Sequence, residues 1–150
     1  MTAAGAAVRP GRTEDLGVVA GLHGRWEAED NVYGFTGPDP AELERWPGDL
    51  FLVAEADGAV VGFLHGVVRA EPALAVIPDG QRYLDVDALY VVPELRRRGV
   101  GGRLLDAAPA RAAGAGVRHA YVFSAAKDQP AILRFYQRHG LQPWGTQFFR

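Results

Sequence analysis

Residues 89–102, Leu89-Tyr90-Val91-Val92-Pro93-Glu94-Leu95-Arg96-Arg97-Arg98-Gly99-Val100-Gly101-Gly102, carry the strongest chemical signal in the chain. Three consecutive arginines supply fixed positive charge and fork-shaped donors. The glycines after them let backbone N–H groups turn toward a ligand, and a helix opening there adds the positive end of its dipole. Such a segment is an anion cradle, and a pyrophosphate fits it. Two other phosphate loops compete. A P-loop needs Gly-Lys-Ser/Thr after its spacer, which is missing. A dinucleotide fingerprint needs a third glycine where Leu104 stands and sets its glycines directly after the strand, whereas here an arginine loop intervenes.

The elements around this segment follow from patterning. Alternation over Arg82 to Val92 predicts a strand with Tyr83, Asp85, Asp87, Leu89 and Val91 on one face. Pro93 ends it, and Gly99 opens a helix through about Ala113, with Pro109 expected to kink or shorten it. Upstream, Leu50–Ala56 and Ala59–Val68 are apolar runs joined by Asp57-Gly58, the signature of a hairpin. Ala6–Arg9 reads as a short strand. Thr13 reads as the cap of a first helix carrying Leu16, Val19, Ala20 and Leu22 to Trp26. Asp39-Pro40-Ala41-Glu42 opens a short second helix that Pro47-Gly48 stops. Downstream, Val117–Phe123 is a strand, Asp128 caps a helix ending at Gly140, and Leu141–Phe149 is read as one or two last strands.

The composition narrows the class. The chain has 150 residues, 48% hydrophobic and 23% charged, with a net charge of -2, which fits one domain with a real core. Nothing in that balance points to nucleic acid or an anionic membrane. With no cysteine, a disulfide framework, a thiolate zinc site and a cysteine nucleophile are all excluded. His23, His65, His119 and His139 show no metal spacing; His65, inside a strand, is read as structural, the alternative being that it faces a cleft. Ser124 has no nucleophile-elbow context. Met1–Gly11 lacks the apolar centre of a signal peptide, and no run is long enough to span a bilayer. A cytoplasmic location is expected, and the excess of Arg, Ala and Gly over Lys is that of a high-GC bacterial coding bias.

Arg96-x-x-Gly99-x-Gly101 is similar to the acetyl-coenzyme A signature of the GNAT superfamily of N-acetyltransferases, and 89–99 resembles that family's fourth strand and pyrophosphate loop. A second match is Asp128-x-x-Ala131, Phe135-Tyr136 and Gly140-Leu141, which is similar to the family's segment N-x-x-A-x-x-F-Y-x-x-x-G-F, with one more residue between Ala131 and Phe135. Asp128 replaces the usual Asn, which often contacts the cofactor; it keeps a helix cap and loses an amide donor. The hairpin resembles the second and third strands, so the resemblance covers nearly the whole chain.

The resemblance implies an α/β fold: a mixed, mostly antiparallel sheet of six to seven strands with about four helices, splayed between the fourth and fifth strands. It implies acetyl-coenzyme A as cosubstrate, no metal, and transfer to a primary amine by direct attack in a ternary complex. It assigns the cosubstrate to Leu89, Tyr90, Val91, Arg96, Arg97, Arg98, Gly99, Val100, Gly101, Gly102, Asp128 and Tyr136. The Val91 N–H would hold the acetyl carbonyl. Tyr136 would protonate the departing thiolate, since a phenol with a pKa near ~10 is protonated at neutral pH. Asp85 or Asp87 would take the amine's proton. Trp26, Glu27, Asp30 and Tyr33 are candidates for acceptor binding, with Phe35 and Trp46 as further lining. Monomer and homodimer are both open. The rival reading is a non-catalytic acetyl-coenzyme A sensor or partner-binding domain on the same fold.

Overall fold

The computed structural model describes residues 5–150; the first four residues of the stretch examined for a signal peptide lie outside them. In chain order the elements are β1 (Ala7–Pro10), α1 (Leu16–Ala28), α2 (Pro40–Leu43), β2 (Leu50–Ala56), β3 (Ala59–Arg69), β4 (Tyr83–Val91), α3 (Val100–Ala113), β5 (His119–Val122) and α4 (Gln129–Arg138). The strands form one sheet in the order β1-β2-β3-β4-β5. Neighbours are antiparallel from β1 to β4, and β5 lies parallel to β4 after the α3 crossover. The described residues therefore form a five-stranded sheet, not one of six to seven strands. Leu141–Phe149 forms no strand: Pro143 has no N–H to give a ladder, and Gly145 turns the chain at φ 74.

Local chemistry explains most element boundaries. Asp57 and Gly58 both have positive φ, 50 and 77, the two-residue turn whose twist matches the β2–β3 hairpin. The Asp39 side chain accepts the Glu42 N–H at 2.8 Å and Pro40 occupies the first turn of α2. At the first helix, Thr13 is not the cap that its type suggested. Thr13–Asp15 is a 3-10 turn ahead of α1, and buried Asp15 accepts the Arg12 N–H at 2.8 Å and both terminal nitrogens of Arg9. An ion pair between β1 and the turn thus fixes the start of α1. Pro109 does not shorten α3, which runs unbroken to Ala113; the proline lies on the exposed side, where its missing hydrogen bond disturbs no packing.

The core lies between α3 and the sheet, where Val100, Leu104, Leu105 and Ala108 are buried against strands that bury Leu52, Leu64, Leu84 and Val86. Leu104 is fully buried, so truncating it to Ala would cost about 2–5 kcal/mol. On the opposite face, His23, Trp26, Phe35, Trp46, Phe63 and Tyr90 stack on one another beneath α1.

One irregularity in β4 reshapes the site. His65 pairs with Ala88, but the next residue, Gly66, pairs with Val86, so Asp87 is an extra residue with no partner in β3. This bulge reverses the alternation. Leu89 and Val91 keep the face toward α3 with Leu84 and Val86, while Asp85 and Asp87 turn to the α1 face. Simple alternation had put all of Asp85, Asp87, Leu89 and Val91 on one side.

Candidate active site

The sheet opens next to that bulge. β5 follows β4 only as far as the Val86–Val122 pair, while β4 continues to Val91. The Val92 N–H donates to the Val61 carbonyl at 2.9 Å. Because successive N–H groups alternate sides, the Val91 N–H points to the other edge, into the gap left by β5. Pairing of the fourth and fifth strands, between which a splay is expected, thus ends before Val91 and leaves a backbone donor beside the gap.

Below the gap, the loop after β4 delivers the chain to the start of α3. Arg97 and Gly99 adopt left-handed backbone, φ 59 and 82. No side chain caps α3, and its first backbone bond runs from the Arg103 N–H to the Gly99 carbonyl. The N–H groups of Val100, Gly101 and Gly102 are therefore left at the positive end of a 14-residue helix. Arg97 and Arg98 are exposed beside them. A Cβ on Gly101 would meet only ordinary contacts, 3.6 Å from Phe135 and 3.7 Å from Val91, so the protein's own packing does not demand glycine there. Gly102 differs: a Cβ would fall 2.6 Å from the His139 ring. Gly102 lets α4 approach α3, and His139 Nδ1 meets Asp106 at 2.8 Å across that contact.

Arg96, expected in the cradle, sends its side chain elsewhere. Its two terminal nitrogens donate to the Glu29 carboxylate at 2.7 and 2.8 Å, and its Nε to the Val91 carbonyl at 2.8 Å. Glu29, at the end of α1, also accepts the Tyr90 hydroxyl at 2.7 Å and the Asn31 amide at 3.0 Å. The Arg96 guanidinium lies over the Tyr90 ring. Burial alone would raise the Glu29 carboxyl, but hydrogen bonds from Arg96 and Tyr90 hold it below the usual carboxylate range. Burial and the Glu29 carboxylate push Tyr90 up to about 12. This latch joins the arginine loop, the end of β4 and the end of α1, and Arg25 with Glu94 adds a second bridge at 2.7 Å.

α4 brings Phe135 close to Gly101 at the start of α3. Asp128 caps it by accepting the Ala131 N–H at 3.1 Å. Its carboxylate serves the helix, in keeping with the exchange from Asn. Tyr136 is half-buried against the core and its ring meets Phe135. Burial pushes its hydroxyl up to about 12, so it holds its proton at neutral pH. Asn31 and Tyr33 pair with the chain after β5: the Lys127 N–H donates to the Asn31 carbonyl and the Tyr33 N–H to the Ala125 carbonyl. Asp30 bonds Lys127, which sits over the Tyr33 ring. Trp26 stacks on Tyr90 and Phe35. Glu27 is exposed.

The α1 face holds a cluster that the sequence did not announce. His65 is buried and its ring stacks on Trp46, centroids 4.2 Å apart and 5° from parallel. Its Nδ1 lies 2.6 Å from Asp87 Oδ1 and its Nε2 2.9 Å from Asp49 Oδ2. Burial works against a charged ring, but hydrogen bonds to Asp87 and Asp49 outweigh it and raise the imidazole above its ordinary range. Asp85 is paired with Arg69 at 2.7 Å. His23, by contrast, has no hydrogen-bond partner and is pushed down to about 4 by burial. Asp49 carried no motif, and only the bulge brings Asp87 to His65. Among the described residues no group of side chains could hold a metal ion, and no helix is long and apolar enough to cross a membrane.

Comparisons with known proteins give the family and the fold. The model of the acetyltransferase (GNAT) family matches residues 23–141. No curated protein sequence matches the chain. Among solved structures, the fold is similar to that of an aminoglycoside acetyltransferase, AAC(6')-Iy, bound to a bisubstrate analogue of coenzyme A and acetylneamine. That match has TM-score 0.75 and 20% identity, and it covers 97% of each chain. It is also similar to an aminoglycoside 6'-N-acetyltransferase from Acinetobacter haemolyticus, with TM-score 0.76 and 17% identity over 96% of each chain. A transcriptional regulator from Bacillus halodurans matches at TM-score 0.69 and 21% identity, over 97% of this chain and 99% of its own.

Proposed function

The chain belongs to the GNAT family of acetyltransferases, and from that premise we propose that it transfers an acetyl group from acetyl-coenzyme A to a primary amine within a ternary complex. One observation carries this reading: the Val91 N–H faces the gap between β4 and β5, and the Val91 side chain lies against Gly101 in the uncapped first turn of α3. A thioester carbonyl and a pyrophosphate need that pair of donor sets. Each role below is part of the proposal.

The Val100, Gly101 and Gly102 N–H groups hold the pyrophosphate, with Arg97 and Arg98 adding charge at its rim. Gly99 supports the turn, and Leu89 and Tyr90 line the strand beside the thioester. Arg96 acts through its latch on Glu29, keeping the loop and strand in register. The bound cosubstrate supplies an activated acetyl group. The Val91 N–H stabilises negative charge developing on the carbonyl oxygen, an effect often worth ~3 kcal/mol. Tyr136 keeps its proton at neutral pH and donates it to the leaving sulfur. Asp85 and Asp87 face the acceptor side. Asp87 lies four residues from Val91, roughly 13 Å of strand before the bulge shortens it, so these carboxylates draw the ammonium and receive its proton through water. Trp26 and Tyr33 border the entrance with Asp30, while Glu27 contributes only long-range charge.

The acceptor is a cationic small molecule or peptide amine. Aminoglycosides are the first compounds to assay, because two of the similar structures bear that name. The fold itself does not choose the acceptor, since a transcriptional regulator shares it. The test is thiol release from acetyl-coenzyme A across a panel of aminoglycosides, alkylamines, polyamines and N-terminal peptides. Turnover with at least one amine, abolished by Gly101→Leu, is expected. No thiol release with any amine, despite tight acetyl-coenzyme A binding, favours a binding domain instead.

A further inference from the structure

The buried imidazole of His65 has no part in the chemistry above, yet both of its nitrogens face carboxylates. Asp87 Oδ1 is 2.6 Å from Nδ1, and Asp49 Oδ2 is 2.9 Å from Nε2. A neutral imidazole has one N–H and one lone pair. In this arrangement it would turn that lone pair onto a carboxylate oxygen. Two N–H donors satisfy both contacts, so the geometry is that of an imidazolium between two carboxylates. The groups around it come from four elements. Asp49 stands at the entry to β2, Asp87 is the bulge residue of β4, Trp46 stacks from the turn before β2, and His23 comes from α1. His23 is neutral at neutral pH and does not compete for the charge. The Asp85–Arg69 pair lies one step further along β4.

Each carboxylate binds the ring through one oxygen, and the Asp87 side chain is the more exposed of the two, 40% against 31%. The bulge that turns it to the α1 face also sets it beside the splay. Left alone, such a side chain would rotate freely, and holding a carboxylate still costs rotamer freedom. His65 removes that freedom: it sits behind Asp87, is itself clamped by Asp49 and is stacked flat on Trp46.

We propose that His65 is a positioning residue of the acceptor site: held as an imidazolium between Asp49 and Asp87, it fixes Asp87 with its second oxygen presented to the acceptor's ammonium group. The proposal rests on the acetyltransferase reading for the identity of the acceptor as an amine. It assigns the Asp49–His65 pair to the placing of Asp87 against the amine, whose proton Asp87 then takes through water, and not to the acetyl-coenzyme A site. A loss of the pair should therefore weaken the acceptor and leave acetyl-coenzyme A untouched.

The experiment combines three readouts on the full chain. The first is an NMR titration of the His65 ring in wild type, Asp49→Asn and Asp87→Asn. Wild-type His65 should stay protonated above the ordinary imidazole range, and each variant should lower its midpoint. A midpoint at or below that of a free imidazole overturns the proposal. The second is steady-state kinetics of His65→Phe, which keeps a ring against Trp46 and removes both N–H donors, and of His65→Gln, which keeps one donor. With n-hexylamine as acceptor, KM should rise about tenfold in His65→Phe, the equivalent of about 1.4 kcal/mol, and less in His65→Gln. Acetyl-coenzyme A affinity should stay within twofold, and any fall in kcat should be smaller than the rise in KM. An unchanged amine KM in His65→Phe, or an equal loss of acetyl-coenzyme A affinity, overturns it. The third is calorimetric binding of n-hexylamine without cosubstrate to wild type and Asp87→Asn. Weaker binding in the variant supports the proposal and equal binding overturns it. This last readout and the NMR titration stand even if the protein fails to bind acetyl-coenzyme A, a failure that would strike the acetyltransferase reading alone.

Discussion

The two sides of the splay are built on different principles. On the proposed cofactor side the groups are backbone N–H donors at the start of α3 and at Val91. Their placement depends on glycines, a left-handed turn and the point where β5 leaves β4. On the acceptor side they are side chains, Asp49, His65 and Asp87, joined by contacts between residues 16 and 22 positions apart. Backbone sites tolerate changes of side-chain chemistry and fail when bulk intrudes. Side-chain clusters fail when one charge is removed, because the partner is left uncompensated.

The largest effect should come from bulk on the cofactor side. Gly101→Leu places a side chain over the donors of α3 and should weaken acetyl-coenzyme A binding at least a hundredfold by calorimetry. Gly101→Ala should keep its fold, since the added carbon meets only ordinary contacts. If Gly101→Leu binds normally, the cradle is elsewhere. Next is Tyr136→Phe, which removes the proposed proton donor. kcat should fall about a hundredfold or more for a chemistry-limited acceptor, with acetyl-coenzyme A affinity unchanged. Unchanged turnover removes Tyr136 from the mechanism.

The latch between the two sides provides an intermediate test. Arg96→Gln breaks a bidentate pair with Glu29 and frees the Val91 carbonyl. It should weaken both substrates several-fold and lower the melting temperature, whereas Arg98→Gln should weaken acetyl-coenzyme A alone. Equal behaviour of the two variants would show that Arg96 does not couple the sites.

The smallest effects are in pH dependence, and the two sides should differ in sign. Glu29 is held below its ordinary range in the folded chain. Its contribution is present above the unfolded carboxylate's pKa and is lost as pH falls through the folded value. His65 is raised. Its contribution is complete below the unfolded imidazole's pKa and is lost as pH rises through the folded value. Thermal melts across pH should therefore show Glu29→Gln blunting the acid-side loss and His65→Gln blunting the alkaline-side loss. Parallel profiles for both variants would remove the distinction.

The same contrast explains what the sequence revealed. Gly99, Gly101 and the Asp57-Gly58 turn are local signals, legible because backbone conformation is set within a few residues. The cap at Asp39 and the helix from Asp128 were readable for the same reason. The bulge at Asp87 has no local signature, so alternation assigned the wrong face to Leu89 and Val91. Arg96 was read as a phosphate ligand because its type fits, while its partner lies 67 positions away. His65 looked structural because neither Asp49 nor Asp87 is near it in the chain. Thr13 was outcompeted as a cap by the Arg9–Asp15 pair, a tertiary contact. The aromatic tail suggested strands, but Pro143 and Gly145 interrupt any ladder.

The most direct test is isothermal titration of the purified protein with acetyl-coenzyme A, with ATP and NADH as controls. Binding of acetyl-coenzyme A alone, lost in Gly101→Leu, is the expected result. A well-folded protein that ignores acetyl-coenzyme A, or binds all three equally, would contradict the assignment of the gap and the α3 N-terminus as an acetyl-coenzyme A site.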